Sequence, residues 1–449
     1  MSQKPNLTVE PVGRKLTLLT IPMLFGMFSM VTFNIVDTFF VGRLGTKELA
    51  AMGFTFPVVF LIGVIALGLG TATSSVISRA IGQGDHKEVK RLTTDSLSLA
   101  CLIVFLCALA GLATMTPVFK LLGASSEIIP LIKNYMTIWY VGVVFLIVPM
   151  VGNNAIRASG DTLSPGIIMT LASVINAVLD PLLIFGLAGF PRLELKGAAL
   201  ATVIARAMTL VISLLILSRK KKMLDFCLPP IQTLLDSWKK ILYIGMPTAL
   251  SNILFPLAMG AITRLVSQFG PAAVAAVGAA IRIETFTLMI IMALSSAVIP
   301  FVGQNWGAKE FERVKLAQQY TSRFSLWWGI ISVLIFIIAA VPIGRLFSKD
   351  AEVISYIIRY LWIVPLGHGL RGIAMLTGSV FNAINKPLHS ALLNLVRTFI
   401  LYVPFAYLGA HLLGLNGIFI GITLANIITG AVAFLWINRT LESNVKLYA

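Results

Sequence analysis

Charged residues are scarce in this sequence. Only 12% of its 449 residues are Asp, Glu, Lys or Arg, while 57% are hydrophobic. A soluble chain of this length needs far more polar surface, so the composition excludes a soluble globular protein and indicates a polytopic membrane protein. Acids are scarcer still, with 18 Asp and Glu against 35 Lys and Arg and a formal charge of +17. In a soluble chain that excess would suggest nucleic acid. Here the bases fall in short connections between apolar segments, which is a topology signal, and no nucleic-acid partner is expected. Cysteine is nearly absent: Cys101, Cys107 and Cys227 have no metal-ligand spacing and read as small packing residues. The four histidines, His86, His368, His389 and His411, are scattered over separate segments, which argues against a membrane enzyme. Neither Gly68-Leu-Gly70 nor Gly82-Gln-Gly84 follows a strand, and no Gly-Lys-Ser/Thr is present, so there is no ATP loop and no cofactor is expected. The polar start up to Lys15 has no cleavable signal pattern, and the first apolar segment is expected to stay in the membrane.

What is present is a series of apolar segments long enough to cross a bilayer. They lie near 16–42, 50–80, 93–117, 131–156, 164–188 and 196–218, and again near 241–267, 273–302, 322–347, 353–383, 388–413 and 415–438. The expected fold is therefore all-α and polytopic, with twelve transmembrane helices in two six-helix lobes. The expected divisions are an N-terminal lobe over 1–218, a cytoplasmic linker over 219–240 holding the basic run Arg219 to Lys222, and a C-terminal lobe over 241–449. One side collects Lys4, Arg14, Lys15, Arg79, Lys87, Lys90, Arg91, Arg157, the linker bases, Lys309, Arg313, Lys315, Lys386, Arg439 and Lys446. The other holds Arg43, Lys47, Lys120, Lys133, Arg192, Lys196, Arg345 and Lys349. The excess places both termini in the cytoplasm, and six spans per set make the lobes parallel in orientation.

The sets also look like copies. Ile21-Pro-Met23 recurs as Gly245-Met-Pro247, Ala50-Ala-Met-Gly53 as Ala275-Ala-Val-Gly278, and Ile81-Gly-Gln83 as Val302-Gly-Gln304. Lys196-Gly197 recurs as Asn416-Gly417. Parallel repeats flanking a central site are a transporter architecture.

Acids within the spans are the candidate machinery. In Asn176-Ala-Val-Leu-Asp-Pro181, Asn176 and Asp180 are four apart and share one helix face, and Pro181 removes a backbone donor beside the acid. A carboxylate at that depth is costly and normally faces a cavity, an ion path or a partner. Asp37 near the outer end of the first span has Asn34 three residues back on the same face. Glu284 is a possible acid of the second set. Pro22, Pro247 and Pro256 interrupt spans. Arg206, Arg264, Arg282, Arg371 and Arg397 lie within spans and are expected to pair with acids, carbonyls or headgroups.

With these residues the chain resembles the multidrug and toxic compound extrusion (MATE) family along essentially its whole length. The most specific pieces are Ile21-Pro-Met23, Asn34-Ile-Val-Asp-Thr-Phe-Phe-Val-Gly42, Arg157-Ala-Ser-Gly-Asp-Thr162, Asn176-Ala-Val-Leu-Asp-Pro181 and Ala279-Ala-Ile-Arg-Ile-Glu284. Two acids in the first set resemble the DinF-like branch, and the chain departs from the NorM-like branch, which places acids in the C-terminal lobe. The resemblance implies a cation-coupled antiporter, driven by H+ or Na+, that exports cationic amphipathic drugs from the bacterial or archaeal inner membrane by alternating access. It implies coupling at Asp37, Asp180 and Asn176, with Thr202 in the sixth span and Asn153 and Tyr135 in the fourth as supporting groups. Asn154 and Tyr140 leave the fourth-span alignment open. Asn34 joins that polar network, and Pro22 is the candidate hinge. Oxygens of Asp37, Asn176, Asp180 and Thr202 would suit Na+, though no resident metal site is expected. The expected partners are the drug, the coupling ion and the bilayer, with a single copy as the working unit. The rival reading is a lipid or lipid-linked oligosaccharide flippase, which would favour a basic cavity.

Overall fold

The computed structural model describes residues 6–227 and 229–448, with side chains from 7 up to 443. Lys4, and the side chain of Lys446, lie outside the described residues. No strand occurs among the described residues. Lipid offers no partner to a free N–H or C=O, so each apolar run closes its hydrogen bonds within itself.

The helices are α1 (Val12–Gly42), α2 (Thr46–Gln83), α3 (His86–Leu121), α4 (Ile129–Gly142), α5 (Val144–Ala158), α6 (Leu163–Phe185) and α7 (Leu195–Leu215). They continue as α8 (Ile231–Val266), α9 (Pro271–Gly307), α10 (Phe311–Phe347), α11 (Ala351–Ile363), α12 (His368–Ala383), α13 (Pro387–Leu395) and α14 (Val403–Tyr448). Among the described residues ten runs are long and apolar enough to span, and α4 with α5, bent by 41°, make an eleventh. The last run, Pro387–Ser443, is 57 residues long. At about 1.5 Å per residue it is far longer than the roughly 30 Å hydrocarbon core. Gly414 breaks it with φ 61° and ψ −141°. Its flanks fold back so tightly that a Cβ on Gly409 would lie 2.0 Å from the Gly417 oxygen. That run is two spans, and the total is the expected twelve.

Helices overrun the apolar pattern at their polar ends. Helix α8 begins at Ile231, ten residues before the hydropathy rise, because turns outside the hydrocarbon need no apolar face. The turn between α2 and α3 is compact: Gly84 takes a left-handed conformation (φ 78°), and the Asp85 side chain caps α3 by accepting from Glu88 N.

By contacts the chain forms two compact units, Leu19–Ala249 and Met1–Leu18 with Leu250–Ala449. The divisions fall inside α1 and α8, not in the connection at 219–240. Local bonds explain both. In the second unit, Arg313 Nη2 donates to the carbonyls of Leu7 (3.1 Å) and Glu10 (2.6 Å), holding the start of the chain. In the first unit, Trp238 Nε1 donates to the Asp95 carbonyl at 3.1 Å and Lys240 pairs with Glu88 at 2.8 Å, holding the start of α8. The first unit's core includes Ile77, Met136, Ile147 and Ile156, and the second's includes Phe336, Ile357, Leu361 and Phe419.

Candidate coupling site and cavity

The first unit holds a partly open cavity of about 540 Å³ lined by α1, α2, α4, α5 and α7. Its polar lining includes Asn34, Asp37, Tyr135, Thr202 and Arg206, and its apolar wall carries Phe33, Phe56, Phe60 and Trp139. Met30, Met52 and Met150 add flexible, polarisable surface. Helical geometry explains the α1 contribution: Met30, Phe33, Asn34 and Asp37 recur at three- and four-residue spacing and present one face.

Asp37 is only 5% exposed, and its Oδ1 has no hydrogen-bond partner among the described residues. It is a buried acid and not an interfacial one. Asn34 also reaches the cavity, but its amide is spent on its own helix, donating to the Met30 carbonyl at 3.0 Å. Thr202 is half-buried at the wall.

Asn176 and Asp180 do not line the cavity. Both are fully buried on α6, where Asn176 Nδ2 donates to Asp180 Oδ1 at 3.1 Å. The i,i+4 spacing thus yields the bond it suggested. Pro181 removes the donor that the Ala177 carbonyl would otherwise use, yet α6 runs unbroken to Phe185. Asp180 Oδ2 and Asn176 Oδ1 remain buried without a donor among the described residues. Asp37, Asp180 and Tyr135 lie within electrostatic reach of one another.

In the fourth span, Tyr135 faces the cavity, whereas the Tyr140 ring packs on Gly111 of α3. Asn153 is buried, and its Oδ1 has no partner among the described residues. Asn154 donates to the Met150 carbonyl at 2.8 Å and packs on Gly70. Pro22 lies within the continuous helix α1, its carbonyl against Gly166 of α6, where a Cβ would fall 2.7 Å from the oxygen.

Glu284 lies in the second unit with different surroundings. Its Oε2 accepts from the Tyr360 hydroxyl at 2.7 Å, and its Oε1 meets His368 Nε2 at 3.1 Å and the Arg371 guanidinium. Arg371 pairs with an acid, as a buried cation should. Among the described residues Arg206 does not: its guanidinium stacks over the Phe33 ring, 5.0 Å from the centroid, and its buried Nε has no partner there. The roles of His368, Tyr360 and Arg206 escaped the sequence pattern, because each depends on a neighbour from a distant helix.

A twelve-span helical chain with buried acids beside an amphipathic cavity is a membrane transporter. The MatE family model matches residues 22–182 and again 247–408, and the chain belongs to that family of MATE transporters. The two matches begin at residues 22 and 247, 225 apart, so the halves are repeats. The chain is 37% identical to the FAD transporter of Shewanella oneidensis over 98% of both chains. It is 27% identical to the probable multidrug resistance protein YoeA of Bacillus subtilis over 99% of both. Among solved structures it resembles the Vibrio cholerae MATE transporter VcmN in the bent form, with a TM-score of 0.92, 34% identity, and coverage of 96% of this chain and 98% of that one.

Proposed function

We propose that this protein is a cation-coupled exporter of amphipathic organic compounds, with its coupling site at Asp37, Asp180 and Asn176. The observation that carries the reading is a shortage of donors. Asp37 Oδ1, Asn153 Oδ1, Asn176 Oδ1 and Asp180 Oδ2 are all buried acceptors in the first unit with no donor among the described residues. A buried acceptor left unpaired is costly, and a proton on a carboxyl or a hard cation among the oxygens relieves that cost. The donor set suits H+ or Na+ equally, and Thr202 adds a hydroxyl at the cavity wall.

The mechanism follows from charge. An ionised Asp37 attracts a cationic compound in the cavity. Uptake of H+ or Na+ from outside neutralises the acids, removes that attraction and gives the Asn176–Asp180 pair a different set of bonds. The compound leaves, and the ion must depart to the cytoplasm before the next compound loads. Coupling arises only because ion and compound differ in affinity for the two conformations. Pro22 is the proposed bending point of α1. The protein is proposed to act as a single copy in a bacterial or archaeal inner membrane, with both termini in the cytoplasm.

A second substrate reading has its own support. The Shewanella relative is named for FAD. The aromatic wall and Arg206 of this cavity suit a ring system bearing phosphate. Export of a fluorescent cationic dye and of FAD from proteoliposomes, under separately imposed pH and Na+ gradients, decides both questions. Asp37→Asn and Asp180→Asn are expected to abolish the dependence on whichever gradient drives wild-type export. Gradient-driven export that survives both substitutions moves the coupling site elsewhere, and no export of either compound removes the antiporter reading.

A further inference from the structure

Arg206 is the cavity's unclaimed charge. A guanidinium offers five N–H donors in a rigid fork that matches carboxylate and phosphate. Elsewhere Arg371 meets Glu284 and Arg91 meets Asp95 one turn along α3, while Arg157 and Arg397, like Arg206, keep a buried Nε without a partner among the described residues, and of these three only Arg206 lines the cavity. The Arg206 side chain makes no hydrogen bond or ion pair with any described residue, and its Nε is shut off from solvent. Its one close partner is the face of Phe33, at 5.0 Å from the ring centroid. Asp37 lines the same cavity and forms no ion pair with it among the described residues. Half-buried at the cavity wall with no acceptor among the described residues, the fork is free to take one from a ligand. The walls beside it are flat and apolar: Phe56 and Phe60 lie with centroids 6.0 Å apart, and Trp139 joins them at the lining.

We propose that Arg206 is a specificity-determining residue that binds an anionic group, phosphate or carboxylate, carried by a substrate whose rings stack on the aromatic wall. The inference rests on the cavity being the transport cavity. Asp37 is the opposing charge in the same space. The cavity therefore favours an anion when Asp37 is neutral and a cation when Asp37 is ionised and Arg206 is removed. The two residues should have opposite effects on ligands that differ only in charge.

Pyrenebutyrate, pyrenebutanol and pyrenebutylamine share one ring and carry negative, zero and positive charge. Their binding to the full chain in nanodiscs of zwitterionic lipid is read by fluorescence anisotropy. Wild type is expected to bind the butyrate at least tenfold more tightly than the butanol, the range of a charge-assisted bond. Asp37→Asn widens that ratio, and Arg206→Gln brings it to about one. Arg206→Lys retains part of it, as a point charge replaces a fork. Repeating the series in nanodiscs with anionic phosphatidylglycerol separates the sources of the anion. Competition with the butyrate in wild type but not in Arg206→Gln means a lipid headgroup can fill the site, and unchanged binding means a soluble anion; either supports the role of Arg206. A ratio that Arg206→Gln leaves unaltered in both the wild-type and Asp37→Asn backgrounds overturns it. If Arg206→Gln does not fold, a ratio of one or less in both wild type and Asp37→Asn overturns it instead. Binding of the amine without any preference for the butyrate over the butanol leaves the transport cavity standing and removes only this inference. Failure of all three probes to bind takes the cavity reading down as well.

Discussion

Asp180 and Glu284 are both buried carboxyls on membrane helices, and their partners differ in kind. Among the described residues Asp180 has one amide donor from its own helix and an oxygen with none. Glu284 is surrounded by a hydroxyl, an imidazole and a guanidinium from α11 and α12. An acid so fully paired is poorly suited to releasing and reloading an ion, and well suited to tying helices together. Glu284→Gln strands Arg371 without its counter-charge, and a broken buried pair typically costs ~3 kcal/mol or more. Its expected signature is a lowered Tm with gradient dependence retained. Asp180→Asn keeps the shape and the bond to Asn176, so the expectation reverses: Tm nearly unchanged, coupling lost. Thermal unfolding by fluorescence-detected size exclusion, beside the proteoliposome assay, checks both. A stable but uncoupled Glu284→Gln would transfer the coupling role to the second unit. The contrast also explains what could be read in advance. Asn176 and Asp180 meet because they are four residues apart on one helix, which a sequence displays. Tyr360 and His368 lie 76 and 84 residues from Glu284, and Arg206 is 173 residues from the Phe33 it stacks on. No local pattern encodes those pairings.

Helix α1 carries both the cavity acid and Pro22, and passes between the two compact units at Leu18 and Leu19. Pro22 has no N–H to give the Leu18 carbonyl, so the missing bond falls at the turn where the division lies. The helix is continuous there, and on its far side the Pro22 carbonyl rests on Gly166 with no room for a side chain. Pro22→Ala restores the bond. It is expected to raise Tm, by up to about 3 kcal/mol of helix stability, and to slow transport severalfold at unchanged ligand affinity. Wild-type turnover in that variant would remove the hinge role. Spans of this kind were legible because hydropathy marks what lipid covers. Their interruptions were not. The 41° bend at Val143 and the tight helical turn Val364–Gly367 sit within apolar stretches that hydropathy reads as uniform. The early start of α8 is polar, and a hydropathy pattern has no signal for helical turns in water.

At the scale of the whole chain, direction of transport depends on which side the loops face. The charge rule assigned sides from Lys and Arg alone, and the ion pairs outside the spans agree with it internally. Lys47, in the first turn of α2, meets Glu127 at 2.7 Å and Arg192 meets Glu194 at 3.3 Å, all on the side assigned outside. Lys240 meets Glu88 at 2.8 Å and Lys221 meets Asp161 at 3.0 Å, all at connections or helix ends on the side assigned to the cytoplasm. Such pairs contribute little stability individually, but Lys47–Glu127, Lys240–Glu88 and Lys221–Asp161 each require two separate connections to share one face. Cys227 allows the assignment to be tested with a native residue. It is exposed in the connection before α8, where Arg91 Nη1 donates to its carbonyl at 3.0 Å. Cys101 and Cys107 lie within α3, among lipid-facing residues, and can be replaced by Ala. In that background a membrane-impermeant maleimide is expected to label Cys227 in inside-out vesicles and to leave it unlabelled in right-side-out ones. The converse result would invert every span. Asp37 would then open toward the cytoplasm when it should meet the external ion, and the same geometry would describe an importer.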